Sequence, residues 1–225
     1  MHLSKASKPV GEEEHLEDSM HIRFYYFDFP FWRAEPSRLA LHLGGIPFDD
    51  VRLSRDAFRD LKAAGELPYG QVPMIEVDGA RISQSLGILR FCGRLAGMYP
   101  DDALEALSVD ETLQAVDQIS GLFSPSMRER DAAKRQAMRH ELATVELPLW
   151  LDRLQERMQG NDRFTSNELS IADLVVWRFL GWISGGILDG IPTTILDSHP
   201  KLTALYERVS AIPDVRDWME KHYGT

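Results

Sequence analysis

The sequence predicts a small α/β domain followed by a larger all-helical one. Three observations point to this. An alternating apolar run from Ile22, a helical stretch and a second alternating run make a β-α-β unit. Asp78-Gly79 then joins two short apolar runs, a strong short-range hairpin signal. Beyond about residue 100 only helical periodicity remains.

The elements follow in order. Ile22, Phe24 and Tyr26 alternate with Arg23 and Tyr25, as in a strand rich in aromatic side chains. After a loop containing Pro30, Ala34 to Leu43 reads as a helix, with Pro36 in its tolerant first turn and Gly44-Gly45 stopping it. Val51 and Leu53 alternate with polar neighbours in a second strand, which a right-handed crossover makes parallel to the first. Asp56 to Ala64 is a short helix, Val72 to Val77 and Ala80 to Ser83 form the hairpin, and Gln84-Ser85 opens a helix to Arg94. The order β-α-β then β-β-α is that of the thioredoxin-like fold.

Helices are expected over Val109 to Phe123, Met127 to Gln159, Ile171 to Ser184, Leu202 to Val209 and Val215 to His222. The best-specified start is Ser170-Ile171-Ala172-Asp173, a capping box flanked by Leu169 and Leu174 as a hydrophobic staple. The implied division is an acidic flexible tail over 1–20, a thioredoxin-like domain over 21–98, a linker over 99–107 and a helical domain over 108–225.

Composition narrows the function. Of 225 residues 44% are apolar, which excludes disorder of the whole chain. A net charge of −10 argues against nucleic acid as a partner. No stretch is apolar and long enough to span a membrane, since Asp173 and Arg178 interrupt the best candidate. The first twenty residues carry five acidic side chains between Glu12 and Asp18 and no apolar core of a targeting signal. One cysteine rules out an internal disulfide and a cysteine-built metal site, and fits a reducing, cytoplasmic setting.

The chemistry expected of a thioredoxin-like domain is absent. The first-helix loop reads Phe27-Asp28-Phe29-Pro30-Phe31-Trp32-Arg33, without Cys-x-x-Cys, and Cys92 lies late in the third helix, where a small buried side chain is the simplest reading. Three features remain. Gln71-Val72-Pro73 opens a strand whose preceding residue is held extended, with backbone groups open to an added peptide strand. Gln84-Ser85 sits at a helix N-terminus, where free N–H groups and the dipole attract an anion. Tyr26 ends the first strand. A short acidic peptide could touch all three.

With these residues in view the chain resembles a family. Tyr26-Phe27-Asp28, Arg33-Ala34-Glu35-Pro36-Ser37-Arg38, Leu67-Pro68-Tyr69-Gly70-Gln71-Val72-Pro73, Val77-Asp78-Gly79 and Gln84-Ser85 are similar to the N-terminal domain of cytosolic glutathione transferases. Ser170 to Leu174, His199-Pro200-Lys201-Leu202 and Ala211-Ile212-Pro213 resemble its helical domain. The likeness is to the tyrosine-type, sigma-like branch that includes glutathione-dependent prostaglandin D synthase.

The resemblance implies roles. Val72, before a proline that is cis in that family, Pro73, would pair its backbone with the cysteinyl unit of glutathione. Gln84 and Ser85 would take the γ-glutamyl carboxylate. Gln71 and Lys62 would contact the glycine end, Arg33 would order the catalytic loop, and Phe58 stands where many relatives carry Trp. Asp117 would reach the glutathione of the other subunit of a homodimer, although the family position falls on Gln118. Tyr26 would donate a hydrogen bond to the sulfur, and Phe29, Phe31 and Trp32 would form a wall for a small hydrophobic electrophile. Gln114, Asp117 and Gln118 make an incomplete acidic cluster, so no metal is expected.

Two alternatives stay open. The loop between Tyr26 and Arg33 is one residue longer than the sigma pattern, so Phe27 could occupy the tyrosine slot. Strand parity with Ile22 and Phe24 favours Tyr26. Against the enzyme, which would conjugate or isomerise its co-substrate or reduce a peroxide, stand a non-catalytic binding or assembly module of the same fold and a lipid carrier using the same aromatic wall.

Overall fold

The computed structural model describes residues 20–160, 162–166 and 169–224. The expected acidic tail, Met20 apart, lies outside the described residues.

The first half is a four-stranded mixed sheet with helices on both faces. β1 (Ile22–Phe27) leads through α1 (Glu35–Leu43) to β2 (Asp49–Leu53), then α2 (Arg55–Ala63), the hairpin β3 (Met74–Val77) and β4 (Ala80–Ser83), and α3 (Ser85–Leu95). The strand order is β2-β1-β3-β4, with β2 parallel to β1 and β3 antiparallel to it. Parity along β1 sorts its side chains. Ile22, Phe24 and Tyr26 join the main core, while Tyr25 faces a smaller cluster with Leu53, Leu67 and Met74 under α2.

The second half is helical throughout: α4 (Ala103–Gly121), α5 (Ser124–Arg128), α6 (Ala132–Glu141), α7 (Leu147–Glu156), α8 (Ile171–Ser184), α9 (Pro200–Ala211) and α10 (Pro213–Tyr223). α8 is its axis, with twelve of its fourteen residues buried. The capping box forms as expected: the Ser170 hydroxyl accepts from the Asp173 N–H at 3.3 Å, and Asp173 accepts from the Ser170 N–H at 2.8 Å. Asp173 also accepts from the Phe164 N–H at 3.0 Å, so this buried carboxylate holds the preceding loop as well as the helix. Burial pushes its carboxyl pKa up, against the pull of those hydrogen bonds.

The structure corrects the sequence reading in three places. α4 begins at Ala103, inside the expected linker over 99–107, where Asp102 accepts from the N–H groups of Leu104 and Glu105. Its first turns show no apolar face because Leu104 and Leu107 stand in the open. The expected helix from Met127 to Gln159 is broken. Glu129 leaves helical geometry, Asp131 caps a new helix by accepting from the Lys134 N–H, and a π-turn over Leu142–Glu146 precedes α7. That wider turn suits Pro148, which has no N–H to give the carbonyl four residues back and whose ring would crowd it. In the hairpin, β3 begins only at Met74, after the cis Val72–Pro73 peptide.

The two halves share one core. α1 packs on α3 and α8, and the Ile171 N–H donates to the Met98 carbonyl at 3.0 Å. Gly93 of α3 meets Ile171 so closely that a Cβ there would lie 2.5 Å from Ile171 Cγ2. Because a β-branched methyl cannot swing aside, Gly93→Ala is expected to cost about 1–3 kcal/mol through overpacking. A thermal melt lowered by several degrees would agree; an unchanged melt would mean that α3 and α8 can slide apart freely.

Candidate functional site

The catalytic candidates gather around the C-terminal end of β1. The β1–β3 register pairs Tyr25 with Met74, so the next residue, Tyr26, comes level with Pro73. Tyr26 is buried, packs edge-on against Phe27 with ring centroids 5.6 Å apart, and lies 5.6 Å from Phe29. Burial pushes its phenol up to about 12, although the Arg33 and Arg38 guanidinium charges pull it down. The phenol therefore stays protonated across the neutral range, a hydrogen-bond donor and not a base.

One cavity of about 250 Å³ is lined by Arg33, Tyr69, Gln71, Val72, Pro73, Ser83, Gln84 and Ser85. Of the residues that the resemblance assigns to glutathione, Arg33, Gln71, Val72, Pro73, Gln84 and Ser85 are thus brought together here. The chain reaches α3 through Gln84 at φ +86°, a left-handed backbone that a non-glycine residue seldom adopts. No side chain caps α3, so its first N–H groups remain open to the cavity. The Ser83 hydroxyl in the same wall is buried and has no hydrogen-bond partner among the described residues. Open amide donors and an orphaned hydroxyl suit a polar, anionic occupant.

Phe58 and Lys62 stand apart from that cavity. Phe58 packs on Phe27 with ring centroids 5.3 Å apart and, with Tyr26 and Phe29, lines a separate and wider cleft against α2. The Lys62 stem passes over Gly70, where an added Cβ would meet its Cε at 3.4 Å, so the ammonium is near the Tyr69–Gln71 turn without lining the cavity. Asp117 accepts from Arg33 Nη1 of its own chain at 2.9 Å, while its neighbour Gln118 is exposed.

The aromatic loop is tied to the helical half at three points. The Trp32 indole N–H donates to the Ser120 hydroxyl at 3.1 Å, Arg33 holds Asp117, and Arg178 Nε donates to the Pro30 carbonyl at 3.0 Å. Trp32 is consequently core, only 1% exposed, and takes no part in the wall expected of it. Phe29 and Phe31 do line a cavity of about 610 Å³, together with Trp177, Arg178, Trp182, Tyr206 and Met219. Phe31 meets Trp182 edge-on at 5.2 Å. Sequence reasoning missed Tyr69, Ser83, Arg178 and Tyr206. Tyr69 lay inside a quoted motif, Ser83 read only as the end of a strand, and Arg178 and Tyr206 carry no signal until α8 and α9 are placed in space.

Cys92 is fully buried on α3, and burial pushes its thiol up to about 12, which removes it as a nucleophile. Among the described residues no group of three or more His, Cys, Asp or Glu side chains is placed to hold a metal ion, and no helix is long and apolar enough to cross a membrane.

Comparison with known proteins agrees with this geometry. The glutathione S-transferase N-terminal domain model matches residues 22–94, and the C-terminal domain model matches residues 117–222. Hematopoietic prostaglandin D synthase of Mus musculus is 30% identical over 194 residues, which cover 86% of this chain and 92% of that protein. Glutathione S-transferase S1 of Drosophila melanogaster is 25% identical over 189 residues, covering 84% and 74%. The solved structure of prostaglandin synthase D of Nilaparvata lugens superposes with a TM-score of 0.78 at 27% identity, covering 89% of this chain and 98% of that one. Fold, cavity and relatives converge on one conclusion: this chain belongs to the glutathione S-transferase family.

Proposed function

We propose that this glutathione S-transferase activates the thiol of glutathione through Tyr26 and directs the thiolate at a small hydrophobic electrophile held against Phe29 and Phe31. The observation that carries the reading is the cavity shared by Val72, Gln84 and Ser85 at the uncapped start of α3, with Tyr26 at the β1 position level with Pro73 of its wall. In it the γ-glutamyl carboxylate would take the free α3 N–H groups and the Ser85 hydroxyl, and the cysteinyl unit would pair with the Val72 backbone. Arg33 and Gln71 would bound the peptide, with Lys62 offering charge to its glycine end.

The energetics are sufficient. A free thiol of pKa about 8.5 is only a few per cent thiolate at pH 7, and lowering that pKa by about 2 units requires roughly 2.7 kcal/mol. One hydrogen bond to a charged group supplies about 1.5–3 kcal/mol. No metal and no general base on the protein is needed. The bond forms between sulfur and the electrophilic carbon, and the leaving group departs with its electron pair. Isomerisation or peroxide reduction would start from the same thiolate. We further propose that the chain acts as a cytoplasmic homodimer, with Asp117 committed to Arg33 of its own subunit and Gln118 the nearer group to a partner.

Retention on immobilised glutathione, with turnover of a generic aryl halide, tests the function. Loss of both would leave a non-catalytic module of the same fold. Gln84→Gly tests the anion site separately. Glycine relieves the positive φ, so the thermal midpoint is expected to hold or rise, while glutathione binding weakens several-fold for want of the side-chain amide. Undiminished binding would remove Gln84 from the site.

A further inference from the structure

The last helix carries one ring that its docking surface suits only in the neutral form. His222 of α10 is half-buried, and its Nε2 is shut off from water with no hydrogen-bond partner among the described residues. The ring lies on Trp218 with centroids 4.1 Å apart, and Trp218 in turn packs 4.7 Å from the exposed His42 of α1. Arg52 of β2 lies against the same end of the helix, its Cζ 5.0 Å from the centre of the Tyr223 ring. Its Nη2 is likewise buried without a partner among the described residues. An unmet donor and an unmet acceptor thus share one interface, which fits a neutral imidazole and not an imidazolium.

A proton on Nε2 would find its possible acceptors already taken. On α1, Glu35 accepts from Arg38, Trp218 and Tyr223. On β2, Asp50 accepts from Arg38 and Arg52, and Asp28 at the end of β1 is also held by Arg52. Burying a charged donor without an acceptor is costly. Burial and the charges of Arg52 and Lys221 accordingly push the His222 pKa down, against the pull of Asp50 and Glu35. What hangs on this ring is a wall of the cavity of about 610 Å³, since α10 supplies Val215, Arg216 and Met219 to its lining.

We propose that His222 is an acid-sensitive latch: the neutral ring seats α10 on α1 and β2, and its protonation loosens the helix and with it one wall of the large cavity. A base whose pKa falls on docking stabilises the docked form fully above its free value, about 6.5. That stability is lost as pH falls through the docked value. The latch makes no use of thiol chemistry, so it stands or falls apart from the proposed reaction.

Amide hydrogen exchange of the full chain, read over 213–223 and corrected for the intrinsic pH dependence of exchange, tests this. Protection of α10 is expected to fall about three- to tenfold between about pH 7.5 and about pH 5.5, while that of α8 holds. His222→Phe keeps a ring on Trp218 and is expected to make α10 protection level across the same range. His222→Gln is expected to do the same, and decides the matter should phenylalanine repack the interface. A pH dependence that survives both variants would pass the effect to His42 or Glu35 and overturn the proposal. Level protection in the unmodified chain, or an equal loss over α8, would overturn it too.

Discussion

Replacing Tyr26 with phenylalanine is expected to leave glutathione bound and to strip the site of most of its thiolate at neutral pH. The phenol is buried and held protonated by a pKa raised to about 12, so its contribution to a sulfur anion is one donated hydrogen bond. Removing a bond worth about 1.5–3 kcal/mol should raise the pKa of the bound thiol by about 1–2 units. At pH 7 kcat/KM should fall roughly 10- to 100-fold, with much of the loss recovered as pH rises past the new thiol pKa. In the unmodified enzyme activity should rise with thiol ionisation and show no falling limb from the phenol until well above pH 10, because a raised pKa preserves the donor form on the alkaline side. The ultraviolet absorbance of the bound thiolate, followed against pH in both proteins, measures this directly. Unchanged absorbance and turnover in Tyr26→Phe would hand the role to another group, with Phe27 then filling the tyrosine slot and no phenol at the sulfur.

The second large effect is on stability. Arg38 is fully buried between Glu35, at 3.2 Å, and Asp50, at 2.8 Å, and its Cζ lies 5.4 Å from the centre of the Phe24 ring. The Trp218 and Tyr223 donors of α10 close on the same Glu35, so the last helix is fastened to α1 through one carboxylate. Arg38→Met leaves that carboxylate buried without its cation, a change that costs about 3–5 kcal/mol. For a chain of this length that corresponds to a fall of about 6–20 °C in the melting midpoint. Adding Glu35→Gln should return part of the loss, since the uncompensated charge and not the missing contact dominates. A fall of under two degrees in the single variant, or no recovery in the double, would show that water or a neighbouring group neutralises Glu35.

Much of this was legible in the sequence because it is written locally. The period-2 run of β1, the Asp-Gly hairpin and the Ser170–Asp173 box each specify a backbone shape within a few residues, and each forms, the hairpin with a shorter first strand than read. Parity alone put Tyr25 and Tyr26 on opposite faces of the sheet. What escaped depended on partners distant in sequence. Trp32 looked like a wall residue because three large aromatics in a short loop seemed unable to turn inward together. Ser120, 88 positions later, supplies the indole acceptor that lets one of them do so. Asp117 looked free to cross to another subunit until Arg33 was found against it. Arg178 read only as a charge interrupting an apolar helix. The breaks near Asp131 and Pro148 were hidden because no glycine stands between Met127 and Gln159 to mark a stop.

The three ties on the Phe29–Arg33 segment have a consequence for how the enzyme comes into being. Their partners, Asp117, Ser120 and Arg178, are encoded from 84 to 148 positions downstream. During synthesis the sheet can emerge complete while the aromatic segment still lacks every one of its anchors. Contacts so distant along the chain carry the greatest closure entropy and form late. The first hundred residues, released alone, would therefore present the cavity lined by Val72, Gln84 and Ser85 without the aromatic segment fixed in place. Competence arrives only with α8, which makes reactivity a property of the finished chain and spares the nascent one.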